Sequence, residues 1–239
     1  MKYLNKEIEY ELINWGAKLV RFVDISHLTE TQNRQFPNAI VFVLPLTTNY
    51  VKEVFDTPNY VKARIDDNFN FDDDEYTLTE QKAGDLSDRI AELLTLKGYR
   101  AFSQSDASLI AEGKFDVAHK QSLLPNKTVA LLSGLGWIGK NNLFITPKYG
   151  AAQCLGTVLT NAPLETELHE PLLPKCGNCN ICGDICERKV LKGMTWNTTI
   201  SREEIIDVYR CSTCLKCLVH CPWTHKYIKQ CLRKNIYRQ

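Results

Sequence analysis

Eight of the ten cysteines in this 239-residue chain fall into two groups of the same spacing. CGNCNICGDIC places Cys176, Cys179, Cys182 and Cys186 as C-x2-C-x2-C-x3-C, and CSTCLKCLVHC repeats the run with Cys211, Cys214, Cys217 and Cys221. Thiolates are soft anionic donors suited to iron–sulfur clusters and zinc. Three cysteines so spaced wrap one corner of a cubane, and the fourth is displaced far enough to reach another; two-cluster ferredoxins exchange their fourth cysteines in this way. The spacing predicts two [4Fe–4S] clusters with crossed ligation. Cys176, Cys179, Cys182 and Cys221 would hold one, and Cys211, Cys214, Cys217 and Cys186 the other. Zinc ribbons are built from separated C-x2-C pairs, so two zinc sites are the weaker reading of the same residues. Pro222 follows the second run as the ferredoxin pattern expects, whereas Glu187 follows the first, a change to the turn rather than to the ligands. Cys154 and Cys231 lie outside both runs and read as small buried hydrophobes.

A second stretch with chemical meaning is GLGWIGKN at 134–141, which fits both G-x-G-x-x-G and G-x-x-x-x-G-K. A dinucleotide site needs a helix opening on the glycines and an acid about 20 residues on. Here KNNLFITPKYG follows, with Pro147 and Gly150 leaving no room for that helix, and the first later acid is Glu165. Asn141 stands where a P-loop carries its magnesium-binding Ser or Thr. A nucleotide site is therefore not expected. A glycine-rich turn does let backbone approach a large ligand, which makes Gly134, Gly136, Trp137, Gly139 and Lys140 the candidate cofactor-binding residues. Lys140 would offer its charge to a phosphate or propionamide-bearing group. The plainer reading of the same turn is a tight corner.

These groups need a scaffold. Ile8, Leu12 and Trp15 share a helical face closed by Gly16, and Leu78, Leu86, Ile90, Leu93 and Lys97 mark a longer helix closed by Gly98. Apolar, β-branched runs at 18–24, 39–46, 99–103, 142–146 and 154–160 predict strands. Asp72, Asp73, Asp74 and Glu75 read as a solvated helix start. Alternating helices and strands predict a layered α/β domain over 1–168, and after the connector ETELHEPLLPK a small ferredoxin-like two-cluster domain over 169–239. Lys and Arg number 29 against 28 Asp and Glu, so net charge draws the chain to neither nucleic acid nor membrane. No apolar run approaches the ~20 residues of a membrane span, and MKYLNKEIEYELINWG lacks the apolar core of a signal peptide. A cytoplasmic protein with no membrane partner is expected. His27, His169, His220 and His225 show no metal-ligand pairing.

The stretch TVALLSGLGWIGKNNLFITPKYGAAQCLGTVLTNAPL, followed by two cysteine runs of which the second ends CPW, resembles the epoxyqueuosine reductase family. The resemblance implies a nitroreductase-like α/β domain that binds cobalamin, and clusters that feed electrons to the corrin. It also implies reductive removal of an epoxide oxygen from a modified tRNA, and an electron donor such as ferredoxin or flavodoxin. The family's general acid is an aspartate about fourteen residues before the first glycine of GLGWIGK; that position here is Lys120. Asp116, His119 and Lys120 are the candidate replacements, since proton donation needs reach and a suitable pKa. The family's helical-repeat tail, which helps bind tRNA, does not follow the second run. Lys226, Lys229, Arg233, Lys234 and Arg238 give the last stretch a basic character suited to phosphate or to a solvated helix. The substrate stays open. The other reading is an electron-transfer protein that keeps fold and clusters without the corrin.

Overall fold

The computed structural model describes residues 2–197 and 199–236. Its largest sheet has the order β1-β2-β8-β3. The inner strands are β2 (Asn38–Pro45), buried from Ala39 to Leu44, and β8 (Gln153–Thr160), buried at every residue but Leu155. The unbroken apolar run of β2 is what a strand covered on both faces requires, and β8 buries the polar Gln153, Thr157 and Thr160 along with its apolar residues. β1 (Leu19–Asp24) pairs antiparallel with β2, Val20 opposite Phe42, and β3 (Ala101–Ser103) pairs antiparallel with β8. Gly156 lets β8 pass the Phe42 ring, which an added Cβ would meet at 2.1 Å. Among the described residues, two short hairpins complete the strands. One joins β4 (Phe115–Asp116) to β5 (Gln121–Ser122), the other β6 (Trp137–Ile138) to β7 (Phe144–Ile145).

The helix Lys2–Asn14 buries Ile8 and Leu12, and the helix Glu75–Leu96 buries Ala83, Leu86, Ile90 and Leu94. Leu78, expected on that buried face, is 48% exposed. The helical period running back from Ile90 passes through Leu86 and Ala83 and misses it. The acids before this helix are not all solvated either. Asp74 is buried and accepts hydrogen bonds from Tyr50 Oη at 2.7 Å and Tyr60 Oη at 2.9 Å. Burial, then the Asp74 carboxylate, pushes the Tyr60 hydroxyl up to about 12.

Packing divides the chain into two compact units, each discontinuous in sequence. Met1–Pro45, Tyr76–Gly134 and Cys154–Pro171 form the first, which carries the large sheet. Leu46–Glu75, Leu135–Gln153 and Leu172–Gln239 form the second, which carries both cysteine runs. The two contiguous stretches expected from sequence are thus not the packing units. The cysteine-rich segment packs with earlier chain in one unit. The helix Thr48–Asp56 packs on the helices Lys216–Val219 and Pro222–Ile236. Tyr227 Oη donates to Leu46 O at 2.9 Å, and its ring meets Tyr149 edge-on. Gly150, at φ +62°, lies where a Cβ would strike Thr224 N at 2.3 Å. Among the described residues, no helix is long and apolar enough to cross a membrane.

Candidate metal centre

The second unit gathers the cysteines. Cys176, Cys179, Cys182 and Cys221 line one cavity of about 90 Å3, together with Lys140 and Lys175. Cys182 sits on the short helix Ile181–Ile185, and burial, then Cys176, Cys221 and Cys179, pushes its thiol up to about 11. Cys221 precedes the helix Pro222–Ile236, whose Trp223 and Thr224 N–H groups favour its thiolate; burial is the larger effect and its pKa is raised. Cys217, on Lys216–Val219, is raised well above the ordinary thiol range by burial, then by Cys214, Cys211, Cys182 and Cys186. Cys221 therefore lies among the first run, while Cys182 and Cys186 of the first run both act on Cys217 of the second. Left-handed backbone at Thr213 and Leu215 turns the CSTCLKC loop. Such crowded thiols shed their protons only against a compensating cation, and the all-sulfur donor set suits iron. Among the described residues, no three His, Cys, Asp or Glu side chains close on a point fit for a single ion.

GLGWIGKN is a mount for this centre rather than a cradle. A Cβ on Gly136 would fall 2.0 Å from Ile145 O across the β6/β7 hairpin, and one on Gly139 would fall 2.5 Å from Ile145 Cδ1. Gly134, in the first unit, has φ +67° and faces His169, 2.9 Å from where its Cβ would be. Trp137 is fully buried with its ring edge-on to Trp223 at 4.9 Å. Lys140 Nζ donates to Gly177 O at 2.9 Å, Cys179 O at 3.1 Å and Asn180 Oδ1 at 3.0 Å. The space these glycines leave is filled by the chain itself, and the lysine is occupied. The cofactor-binding role expected of Gly134, Gly136, Trp137, Gly139 and Lys140 does not fit this geometry, and no step is assigned to a corrin there.

The three acid candidates share the β4/β5 turn. Asp116 accepts His119 N at 3.0 Å and contacts His119 Nδ1 at 2.7 Å. Those two hydrogen bonds hold its exposed carboxyl below the usual range, the wrong direction for a proton donor. Lys120 takes the left-handed conformation that closes the turn. A better-placed acid is Glu80, which sequence reasoning missed. It opens into a cavity of about 340 Å3 in the first unit, with Asp88, Gln104, Ser105, Asn126 and Cys154. Although Glu80 reaches solvent through the mouth, the enclosing walls raise its carboxyl; a Tyr76 hydrogen bond opposes this and Asp106 adds to it. Ala83, Gly84 and Ser87, small residues on the same helix, leave the room for that cavity.

No family model matches the chain. Curated epoxyqueuosine reductases do: that of Staphylococcus aureus is 41% identical over 71 residues, 30% of this chain and 18% of the relative. That of Prochlorococcus marinus is 27% identical over 177 residues, 64% of this chain and 55% of the relative. An epoxyqueuosine reductase solved with a modified tRNA stem loop superposes with TM-score 0.55 at 15% identity, covering 94% of this chain and 66% of that one. A reductive dehalogenase, solved in work on B12-dependent dehalogenation, superposes with TM-score 0.61 at 15% identity, covering 91% and 31%. The fold is the mixed α/β fold of epoxyqueuosine reductases and reductive dehalogenases. The chain resembles epoxyqueuosine reductases over part of its length, and its matches span well under two thirds of those two relatives' lengths.

Proposed function

We propose that the protein is an iron–sulfur oxidoreductase whose two cysteine sets would hold two [4Fe–4S] clusters, which when bound would supply single electrons for reductive chemistry. The observation that carries this is the cavity lined by Cys176, Cys179, Cys182 and Cys221, with its fourth thiol drawn from the other run. Cys211, Cys214, Cys217 and Cys186 would hold the second cluster. The clusters, when bound, supply one-electron transfer. Glu80 is the proposed proton donor, because reductive cleavage of a C–O or C–halogen bond consumes protons and this carboxyl keeps its proton to higher pH than an ordinary glutamate. Cobalamin enters through kinship with the family alone, since residues 134–140 do not offer it a cradle. A ferredoxin or flavodoxin is the proposed donor, and a cytoplasmic location goes with it, since reduced thiols persist in a reducing compartment. A tRNA-borne substrate is the first to assay. Arg238 and the side chain of Lys234, part of the basic stretch expected near phosphate, lie outside the described residues.

Anaerobic reconstitution tests the reading. About eight irons and eight sulfides per chain are expected, and stoichiometric zinc without labile sulfide would sink it. Cys186→Ala should lower iron toward about four per chain, with loss of the cluster built on Cys211, Cys214 and Cys217. The filled corner at 134–140 favours a second reading, an electron carrier without a corrin. Anaerobic titration with cobalamin, followed by its optical spectrum, separates the two: absence of saturable binding leaves the carrier.

A further inference from the structure

We propose that Lys140 and Asn141 form a two-armed mount for both cysteine loops. In this proposal the Lys140 ammonium keeps the cluster of Cys176, Cys179, Cys182 and Cys221 at the higher reduction potential of the pair. This rests on the two-cluster reading above. All three Lys140 hydrogen bonds end on residues 177–180, the loop of the first run. An ammonium has three donors, so none is left for a ligand. The next residue points its arm the other way: Asn141 Nδ2 donates to Cys217 O at 3.2 Å, in the second run, while its Oδ1 accepts Leu143 N at 3.2 Å. Asn141 is 4% exposed. Adjacent residues of one turn thus grip both loops, which makes them positioning residues.

The charges around the two sets differ. Lys140 and Lys175 line the first cavity, and neither forms an ion pair among the described residues. Beside the second run, Lys216 is ion-paired to Glu187 and bonded to Asn59. A cubane with four thiolates is anionic and gains one more negative charge on reduction. An uncompensated cation beside it stabilises the reduced form, whereas a cation already neutralised by a carboxylate does little. One electron supplied by a ferredoxin-type donor therefore rests on the first cluster, leaving the donor oxidised.

The experiment is a mediator-based redox titration of the reconstituted protein, followed by electron paramagnetic resonance, with iron and sulfide counted in parallel. Wild type should give two midpoints. Lys140→Gln should lower the higher one by about tenfold in the reduced-to-oxidised ratio, 59 mV for one electron, and leave the lower in place. Lys140→Arg should stay close to wild type. Glu187→Gln, by freeing Lys216, should raise the lower midpoint and narrow the gap. If Lys140→Gln loses iron from one cluster only, the mount is supported, and Lys175→Gln with Glu187→Gln then decides the electrostatics. Unmoved midpoints in fully loaded Lys140→Gln, equal movement of both, or movement of the lower alone would overturn the proposal. A wild type without labile sulfide would instead remove the two-cluster reading itself.

Discussion

Glu80 and Asp116 are carboxyls shifted in opposite directions, and the difference decides what each can do. Asp116 is held ionised by His119 at an exposed turn, whereas the walls around Glu80 favour its proton. A raised folded-state pKa means that the folded chain binds a proton the unfolded chain has released, so stability is greatest at low pH. It falls as pH rises from the ordinary glutamate range through the folded value. Glu80→Gln should abolish this slope: in urea melts at pH 5 and pH 8, wild type should lose stability relative to the variant at the higher pH. A parallel response of both proteins would show that Glu80 titrates normally. The eight thiols were legible in sequence because their ligand spacing is local. Glu80 was not, because its shift comes from walls at residues 104–106, 126 and 154, distant along the chain. Lys140 was legible as a cation but not in its role, since its partners lie 37 to 40 residues away.

The β6/β7 hairpin shows what an element of two-residue strands can do. NLFIT reads as a strand, yet only Phe144 and Ile145 pair in the hairpin, Thr146 bridging instead to Gly150, and the hairpin partners Trp137 and Ile138 gave no strand signal within a glycine-rich turn. β2 and β8 were legible because their longer runs are rich in apolar and β-branched residues, unbroken from Ala39 to Leu44 in β2. The hairpin's tightness predicts the cost of disturbing it. Gly136→Ala puts a methyl against the Ile145 carbonyl, and backbone cannot rotate away, so a loss of about 3 kcal/mol, the upper end for overpacking, is expected. Gly183 on the Ile181–Ile185 helix has open space where a Cβ would stand. Gly183→Ala should gain roughly 0.5–1 kcal/mol from helix propensity. Chemical denaturation of the two variants side by side measures both. Comparable stability would mean that the hairpin yields.

At the scale of the whole molecule, the change of composition near 165 marks where the cysteines begin, not where packing divides. The division depends on Val51 and Val54 of an early helix and on Trp137 and Ile138, which are buried in the cysteine-bearing unit. No local signal assigns a helix at 48–56 to a partner beyond residue 215. Metal binding that closes a site is also folding free energy for the unit that holds it. Stripping the proposed clusters should therefore raise hydrogen exchange in 46–75 and 135–153 along with the cysteine runs, while β2 keeps its protection. Exchange confined to residues beyond 172 would contradict the shared unit.

That interleaving sets a timetable for biosynthesis. Residues 46–75 leave the ribosome roughly 100 residues ahead of Leu172, a wait on the order of 5–20 s at about 5–20 residues per second. Through that interval the helix bearing Val51 and Val54 has no cysteine-bearing partner to cover it, and its apolar face is open to chaperones and proteases alike. The proposed first cluster could not be completed until Cys221 has emerged, although its other three thiols appear about 40 residues sooner, roughly 2–8 s earlier. If the proposed clusters are bound, iron delivery and completion of the fold converge on the same late moment, and a chain left without iron would stay half-closed in the unit that carries the cysteines.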